Sequence, residues 1–472
     1  MLEKEVARKE DPAVARLLRT YLLLCAVSTS ASSLIWGVNT LFLLDAGLTI
    51  TQAFAANAFF TAGMVLFEVP TGVVADTVGR RASYLLGAAT LFGSTLLYLL
   101  LWQITAPFAA WAVASVLLGL GFTFFSGATE AWLVDGLTAT GYTGTLESAF
   151  AKGQIATGVA MLAGTVAGGA LAQVTNLGVP YGVRAVLLVV TFVVAWRAMH
   201  DVGFVPQPRT SAVMRMRGIV RSSLQHGLGN PPVRWLMLAA PFSLGVSAYG
   251  FYAIQPYLLE LYGDSDSYMI AGLAAALVAA TQIAGGALTP VVARVFRRRT
   301  SFLLAATIAT VVVLILTGLV PRFGVVLALL AVWGILFSAM GPVRQAFLNG
   351  LIPSTQRATV LSSDNLLASA GGVVVQPALG RTADIWGYPS SYVASAAIQL
   401  LALPFIVRAR RERATSDPTT IQRPLGGTPG SPRRSPGSRR DRLSIDTCLA
   451  VDAGSVVDTS ARIPARAAAI DE

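Results

Sequence analysis

Charge is the scarcest ingredient of this sequence. Asp, Glu, Lys and Arg make up 12% of its 472 residues, against roughly 25% in soluble globular domains. Cysteine occurs twice, as Cys25 in an apolar run and Cys448 in a polar tail, which excludes a disulfide framework and a thiolate metal cluster. The two histidines, His200 and His226, fall in or beside a basic loop and read as solvated loop residues rather than a proton relay. There is no Walker-type loop for nucleotide phosphates and no nucleophile or metal-ligand constellation. Catalysis, a bound cofactor, a metal and ATP-driven work are therefore not expected. Short alternating segments of the kind that build membrane barrels are missing too. The first residues, MLEKEVARKEDPAVARLLRT, lack the layout of a signal peptide and read as a cytoplasmic lead-in.

What fills the sequence is apolar. Hydrophobic residues make up 54% and the mean hydropathy is +0.64, more than one soluble core can bury. They come in runs of about 20 residues, the length of a helix that spans a bilayer. Twelve such runs lie between residues 20 and 407, so the fold class expected is an all-α integral membrane protein of twelve transmembrane helices. The formal charge of +11 gathers in alternate loops and at the ends, and so reports topology before any nucleic-acid partner. One set of loops holds Arg80, Arg81, Arg209, Arg215, Arg217, Arg221, Arg297, Arg298, Arg299 and Arg357. The other set holds Asp45, Asp264 and Asp266, with Arg184, Arg322 and Arg381 near span ends. This bias predicts a multi-pass protein of the plasma or inner membrane with both termini cytoplasmic.

Composition also divides the chain. Residues 1–19 read as a cytoplasmic segment, 20–200 as a first group of six spans and 235–410 as a second. The basic linker 201–234 separates them and includes SAVMRMRGIVRSSLQHGL, an amphipathic stretch suited to the inner membrane face. Residues 411–472, rich in Pro, Gly, Ser and Arg, are expected to be a disordered cytoplasmic tail.

The two groups repeat. TGVVADTVGRR (71–81) aligns with TPVVARVFRRR (289–299), and GATEAWLVDGL (127–137) with GPVRQAFLNGL (341–351), in order and at nearly one offset. Duplicated six-helix halves commonly enclose a substrate site between them. Both copies keep the arginines, which anchor a loop inside. The first alone keeps Asp76 and Gly79, whose acid and positive-φ turn anchoring does not require.

The run Gly72-x-x-Ala75-Asp76-x-x-Gly79-Arg80-Arg81 resembles the signature between the second and third helices of the major facilitator superfamily, most closely its twelve-helix drug and small-molecule efflux members. The resemblance covers residues 17 to 410. It implies two pseudo-symmetric six-helix lobes, and a gate in which Asp76 meets the start of the eleventh helix near Thr359 while Arg80 pairs with Asp135. Gly72 would admit a close helix neighbour. Gly164, Gly168 and Gly169 form a close-packing motif and resemble the family's antiporter signature, with Thr165 in place of its usual proline. Ser115 stands where the family's proton-linked arginine would be.

Charges inside spans need a reason. Glu68 lies roughly 12 Å deeper than Asp76 at 1.5 Å per residue, beside Pro70, and is a candidate proton carrier. Ser115, Gly119, Thr123, Ser126 and Glu130 share one face of the fourth span. Gly334, Ser338, Gly341 and Arg344 share one face of the tenth. The family places the first, fourth, seventh and tenth helices around a central cavity. An interlobe pair of Glu130 with Arg344, formed when the inner gate closes and broken when it opens, is therefore expected. Asp364 is read as the cap of the eleventh helix, or else a proton site. The candidate cavity residues are Trp36 and Asn39 of the first span, Thr123 and Ser126 of the fourth, Tyr252 and Gln255 of the seventh, and Ser338 of the tenth.

The expected function is secondary active transport of a small amphiphilic molecule, as efflux coupled to protons. The alternatives are a metabolite importer or uniporter, and a non-transporting sensor or assembly protein of the same fold. Expected partners are the small-molecule substrate, protons and lipid, with no nucleic acid, and the chain is read as a monomer.

Overall fold

The computed structural model describes residues 12–125, 127–206, 214, 217, 218, 221, 227–352 and 357–419. Eleven helices among them are long and apolar enough to cross a membrane. The last candidate, Val360–Arg411, has 52 residues, about 78 Å at 1.5 Å per residue, against a hydrocarbon core of about 30 Å. It reverses at Gly387, whose φ of 79° and ψ of 167° interrupt the helix. The chain therefore makes twelve crossings, as its apolar runs predict. Among the described residues the single β contact is an isolated bridge between Arg298 and Pro418.

The first half comprises α1 (Pro12–Trp36), α2 (Asn39–Asp45), α3 (Ile50–Thr77), α4 (Arg80–Gln103), α5 (Phe108–Phe125), α6 (Ala128–Ala139), α7 (Leu146–Val174) and α8 (Gly178–Ala198). The second comprises α9 (Pro231–Tyr262), α10 (Tyr268–Val295), α11 (Arg299–Leu319), α12 (Phe323–Asn349), α13 (Arg357–Leu400) and α14 (Leu403–Arg411). Three crossings are broken where the sequence suggests single runs, among them the twelfth, between Leu400 and Leu403. The first breaks between Trp36 and Asn39. The fourth breaks beside Gly127, whose φ is 69°, whereas its repeat partner Gly341 lies inside the continuous α12. Local signals set several ends. Thr49 and Gln52 form a reciprocal capping box at α3, which satisfies amides that a helix start leaves open. Gly263, at φ 81°, closes α9.

Within the first half α1 packs on α7 and α8, α3 on α5, and α4 on α5 and α8; within the second α9 and α11 pack on α13, and α10 on α12. Between halves α3 runs along α13 and α7 along α10. Aromatic stacking fixes the short α2: Phe42 lies 4.0 Å from Tyr181 and 5.6 Å from Trp102 between ring centroids. The outer surface is apolar instead of charged. Val186, Val189, Val190 and Val193 are exposed along α8, and Ile308, Val312 and Leu316 along α11, at helical spacing that suits contact with lipid.

Three boundaries differ from the compositional ones. The first helix begins at Pro12, so part of the lead-in belongs to the first crossing. The seventh crossing begins at Pro231, inside the linker, most of whose amphipathic stretch lies outside the described residues. The tail does not begin at residue 411. Residues up to Thr419 fold back onto the second half, with Asp417 3% exposed, and residues 420–472 lie outside the described ones.

Candidate functional site

A cavity of about 290 Å³ opens between the halves. Trp36, Met161 and Thr165 line it from the first half. Ser247, Phe251, Tyr252, Val278, Trp333 and Phe337 are among the residues that line it from the second. Its wall is apolar and aromatic with a few hydroxyls, the make-up of a small-molecule site. Of the cavity residues expected from the sequence, Trp36 and Tyr252 are in the wall. Asn39 lines a side hollow that shares Trp36 and Tyr252 with the cavity. The others depart. Thr123 is buried against α3, where its carbonyl accepts from Thr71 Oγ1 at 3.3 Å. Ser338 packs where a side chain on Gly285 would have to lie, 2.7 Å from its Cβ. Gln255 sits on the seam between the halves. Ser126 lies outside the described residues. The fourth crossing thus gives way in the wall to α7, through Met161 and the overlooked Thr165.

The halves are stitched together at the end opposite the 71–81 signature, here called the far end. Gly37 and Gly169 both stand against Gly272; a Cβ on Gly169 would lie 2.8 Å from Gly272 Cα, so small residues set this approach. Gln255 Nε2 donates to the Trp36 carbonyl at 2.7 Å, and Met269 N–H to Gln173 Oε1 at 3.1 Å. Phe54 stacks obliquely on Tyr249 at 4.6 Å. The Asp384 carboxylate accepts from the amides of Ile50 and Thr51 at 3.0 and 2.8 Å, and from the Thr51 hydroxyl. An acid on α13 therefore crosses to cap the start of α3, where the helix dipole favours negative charge. Sequence reasoning missed Asp384, because nothing local links it to a helix start more than three hundred positions away. Gly164 and Gly168 do pack closely, but inside the first half, against Ser33 and the Leu34 carbonyl of α1.

At the signature end, Gly79 has a φ of 129°, and a Cβ there would run into the Asp201 carboxylate. Asp201 in turn accepts the Arg81 amide at 2.9 Å, capping α4. Arg81 also donates through its guanidinium to the Trp196 carbonyl. Arg80 bonds Asp76 at 2.5 Å and reaches Asp135 at 3.6 Å, bringing together three residues of the expected gate. Thr359, the expected partner of Asp76, has no described side chain. Gly72 differs from expectation: a Cβ there would meet nothing within 4 Å. The second half repeats the cap. Asp417 accepts from the Thr300 amide and hydroxyl, both at 2.9 Å, and its carbonyl accepts the Arg299 amide at 2.8 Å.

The remaining charges distribute unevenly. Glu68 is exposed and shares a helical face with Asn57, Thr61 and Met64, at steps of four, three and four. That face turns toward the other half, since Gln376 Nε2 reaches Thr61 Oγ1 at 3.5 Å. Glu130 is also exposed and is not paired with Arg344. Arg344 instead forks onto Asp364, Nη1 to Oδ2 at 2.5 Å and Nη2 to Oδ1 at 2.6 Å, a bond inside the second half. Asp364 is thus not the expected helix cap. It lies two turns into α13 with 4% of its side chain exposed, and its charge is met by the guanidinium. Arg184, expected to be a marker beside a loop, is 0% exposed in the first half. Its Nε donates to Thr95 Oγ1 at 3.1 Å and its guanidinium stands 5.8 Å from the Phe122 ring centre.

Comparison with known proteins agrees with this geometry. The sequence model of the Major Facilitator Superfamily matches residues 21–298 and 272–451. No curated protein sequence matches the chain. Among solved structures, the nucleoside transporter NupG is similar with a TM-score of 0.67 at 12% identity, covering 83% of this chain and 98% of its own. A bacterial homologue of the human lysosomal transporter Spinster, inward-facing and unoccupied, is similar with a TM-score of 0.64 at 16% identity, covering 85% of this chain and 98% of its own. A D-xylose-proton symporter gives 0.58 at 15% identity, covering 83% and 96%.

Proposed function

Because the chain belongs to the major facilitator superfamily, whose sequence model spans both halves, we propose that it is a secondary active transporter that moves a small amphiphilic molecule out of the cell by alternating access, in exchange for protons. The observation that carries this reading is the aromatic cavity of about 290 Å³ lined from both halves beneath a zipped far end. The arginine-bearing loops support placing the signature end in the cytoplasm and the protein in the cell membrane. On that assignment the far-end seam is the outer gate, and the conformation faces inward.

Two carboxylates then have matching roles. Asp384 at the start of α3 latches the outer side. Asp76, held by Arg80 at the other end of α3, meets the start of α13 and latches the inner side when that side closes. Closure also brings the fourth and tenth crossings together, so Glu130 approaches Arg344, which is occupied by Asp364 in the inward-facing state. Glu68, exposed on the face of α3 that turns toward the second lobe, is the proton carrier of this scheme. An acid there can be protonated from the cytoplasmic vestibule and returned to the other side with the rocking of the lobes.

The test is flux of a dye and antibiotic panel in energised vesicles, with and without an imposed pH gradient. We expect gradient-driven export that Glu68→Gln reduces at least about tenfold and Glu130→Gln reduces less. Flux indifferent to the gradient, with both variants active, removes protons from the scheme. Accumulation in the opposite direction makes the protein an importer. Absence of flux for every compound favours the sensor or assembly reading.

A further inference from the structure

The first lobe buries a cation that the chain leaves incompletely bonded. Arg184 is 0% exposed, its Nη1 and Nη2 have no hydrogen-bond partner, and no ion pair among the described residues includes it. Beyond Thr95, which accepts from its Nε, a chain of side chains beside it runs as donors toward the hollow. Tyr181 O–H donates to Asn39 Oδ1 at 2.8 Å, and Asn39 Nδ2 donates to Asn57 Oδ1 at 3.0 Å. That chain ends on Asn57 Nδ2, which has no acceptor. Arg184 and Asn57 line one hollow of about 30 Å³, which shares Trp36 and Tyr252 with the transport cavity.

Buried charge without a counter-charge is strongly unfavourable, and buried donors without acceptors add to the cost. The missing group is therefore an acceptor, and a negative one. The hollow has room for one or two water-sized atoms, enough for the oxygens of an acidic head but not for a whole substrate. The aromatic cavity next door has room for an apolar body. We propose that Arg184 and Asn57 form an anion subsite that receives the carboxylate, or a similar acidic head, of the transported molecule, so that the substrate class is amphiphilic organic anions. Tyr181 and Asn39 act as positioning residues by orienting the Asn57 amide. The inference rests on the transport reading above and narrows it.

The test is isothermal titration of the purified full-length protein with naphthalene-1-acetate and its uncharged counterpart naphthalene-1-acetamide, which share one apolar body. Charge-assisted hydrogen bonds predict that the acetate binds at least about tenfold more tightly. Arg184→Gln should abolish that preference. Arg184→Lys, which keeps the charge but loses the fork, and Asn57→Ala should each keep part of it, and they carry the test if Arg184→Gln fails to fold. Equal binding of both probes to the unaltered protein, or a preference that survives Arg184→Gln, overturns the subsite and leaves the amphiphile cavity standing. Binding of neither probe overturns both. A titration with sodium chloride separates the sources of the anion. Chloride binding that needs Arg184, without any preference for the acetate, assigns the hollow to a free inorganic ion and overturns its role in substrate recognition.

Discussion

Arg344 and Arg184 are both arginines within membrane crossings, and their surroundings give them opposite consequences for stability. Arg344 neutralises Asp364 through two parallel bonds. Replacing it with methionine would leave a carboxylate with 4% of its side chain exposed and no counter-charge, a change that costs about 3–5 kcal/mol in buried pairs. Thermal unfolding in detergent should register that loss for Arg344→Met. Combining it with Asp364→Leu should recover most of it, because a pair of apolar residues removes both charges together. An unchanged midpoint in the single variant would mean that the pair is not holding the helices. Arg184→Gln should instead leave the midpoint level or raise it, since no carboxylate is left behind. Sequence reading takes Arg344 for an interlobe pair and Arg184 for a marker at a span end, and reaches neither one's actual surroundings. Each is the same symbol within or beside an apolar run. Asp364 comes from the next crossing, across a loop that hides the pairing, and the chain that starts at Tyr181 on the helix of Arg184 runs to Asn39 and Asn57 on distant crossings.

At the scale of elements, the duplication reaches further than the two signature stretches. Asp201 leaves the last crossing of the first half and caps α4. Asp417 leaves the last crossing of the second and caps α11, at nearly the offset that separates the two signatures. Each lobe thus closes on itself by returning an acid to the start of its third crossing. Removing either cap as Asp201→Ala or Asp417→Ala should cost about 1 kcal/mol, read in the unfolding midpoint. Truncation before Asp417 should reproduce the second loss. If the truncated chain is as stable as the whole, the returning segment is not part of the lobe. Gly79 offers a sharper comparison. Gly79→Ala meets both an unfavourable φ of 129° and the Asp201 carboxylate, whereas Gly141→Ala meets a φ of 65° with nothing within 4 Å. The first should destabilise more than the second, and Asp201→Ala in the same chain should narrow the gap. The twelve crossings and the arginine loops were legible because period, length and charge are local properties. The break at Gly127 and the fold-back of residues 411–419 were not. A glycine in an apolar run looks alike whether or not the helix passes through it, and the polar residues before Thr419 have the same composition as the tail beyond it.

Over the whole molecule, α3 and α13 run beside each other between the lobes, with an acid of one helix near the start of the other. Asp384 reaches the first amides of α3 at 3.0 and 2.8 Å, while Asp76 ends α3 at the signature loop. A device of this form makes the two ends of the molecule compete, because rocking that frees one carboxylate from a helix start can seat the other. Asp384→Asn keeps the shape and removes the charge, which at a helix N-terminus contributes about 0.3–1 kcal/mol and up to about 2 when partly buried. One kcal/mol changes a two-state ratio about fivefold, so the far-end-open population should rise by about that factor. Spin labels on Val174 and Ser265, both exposed at the far end, and on Val78 and Val295, both exposed at the signature end, read the two sides separately. Asp384→Asn should lengthen the first distance in part of the population and shorten the second in the same proportion. Gly272→Leu should shift both in the same sense and further, since the added side chain has to displace the Gly169 backbone. If the far end opens while the signature-end distance stays fixed, the two gates are independent and the paired-latch account fails. If neither distance moves, the seam is held by the glycine contacts and the aromatic packing of Phe54 on Tyr249 rather than by Asp384.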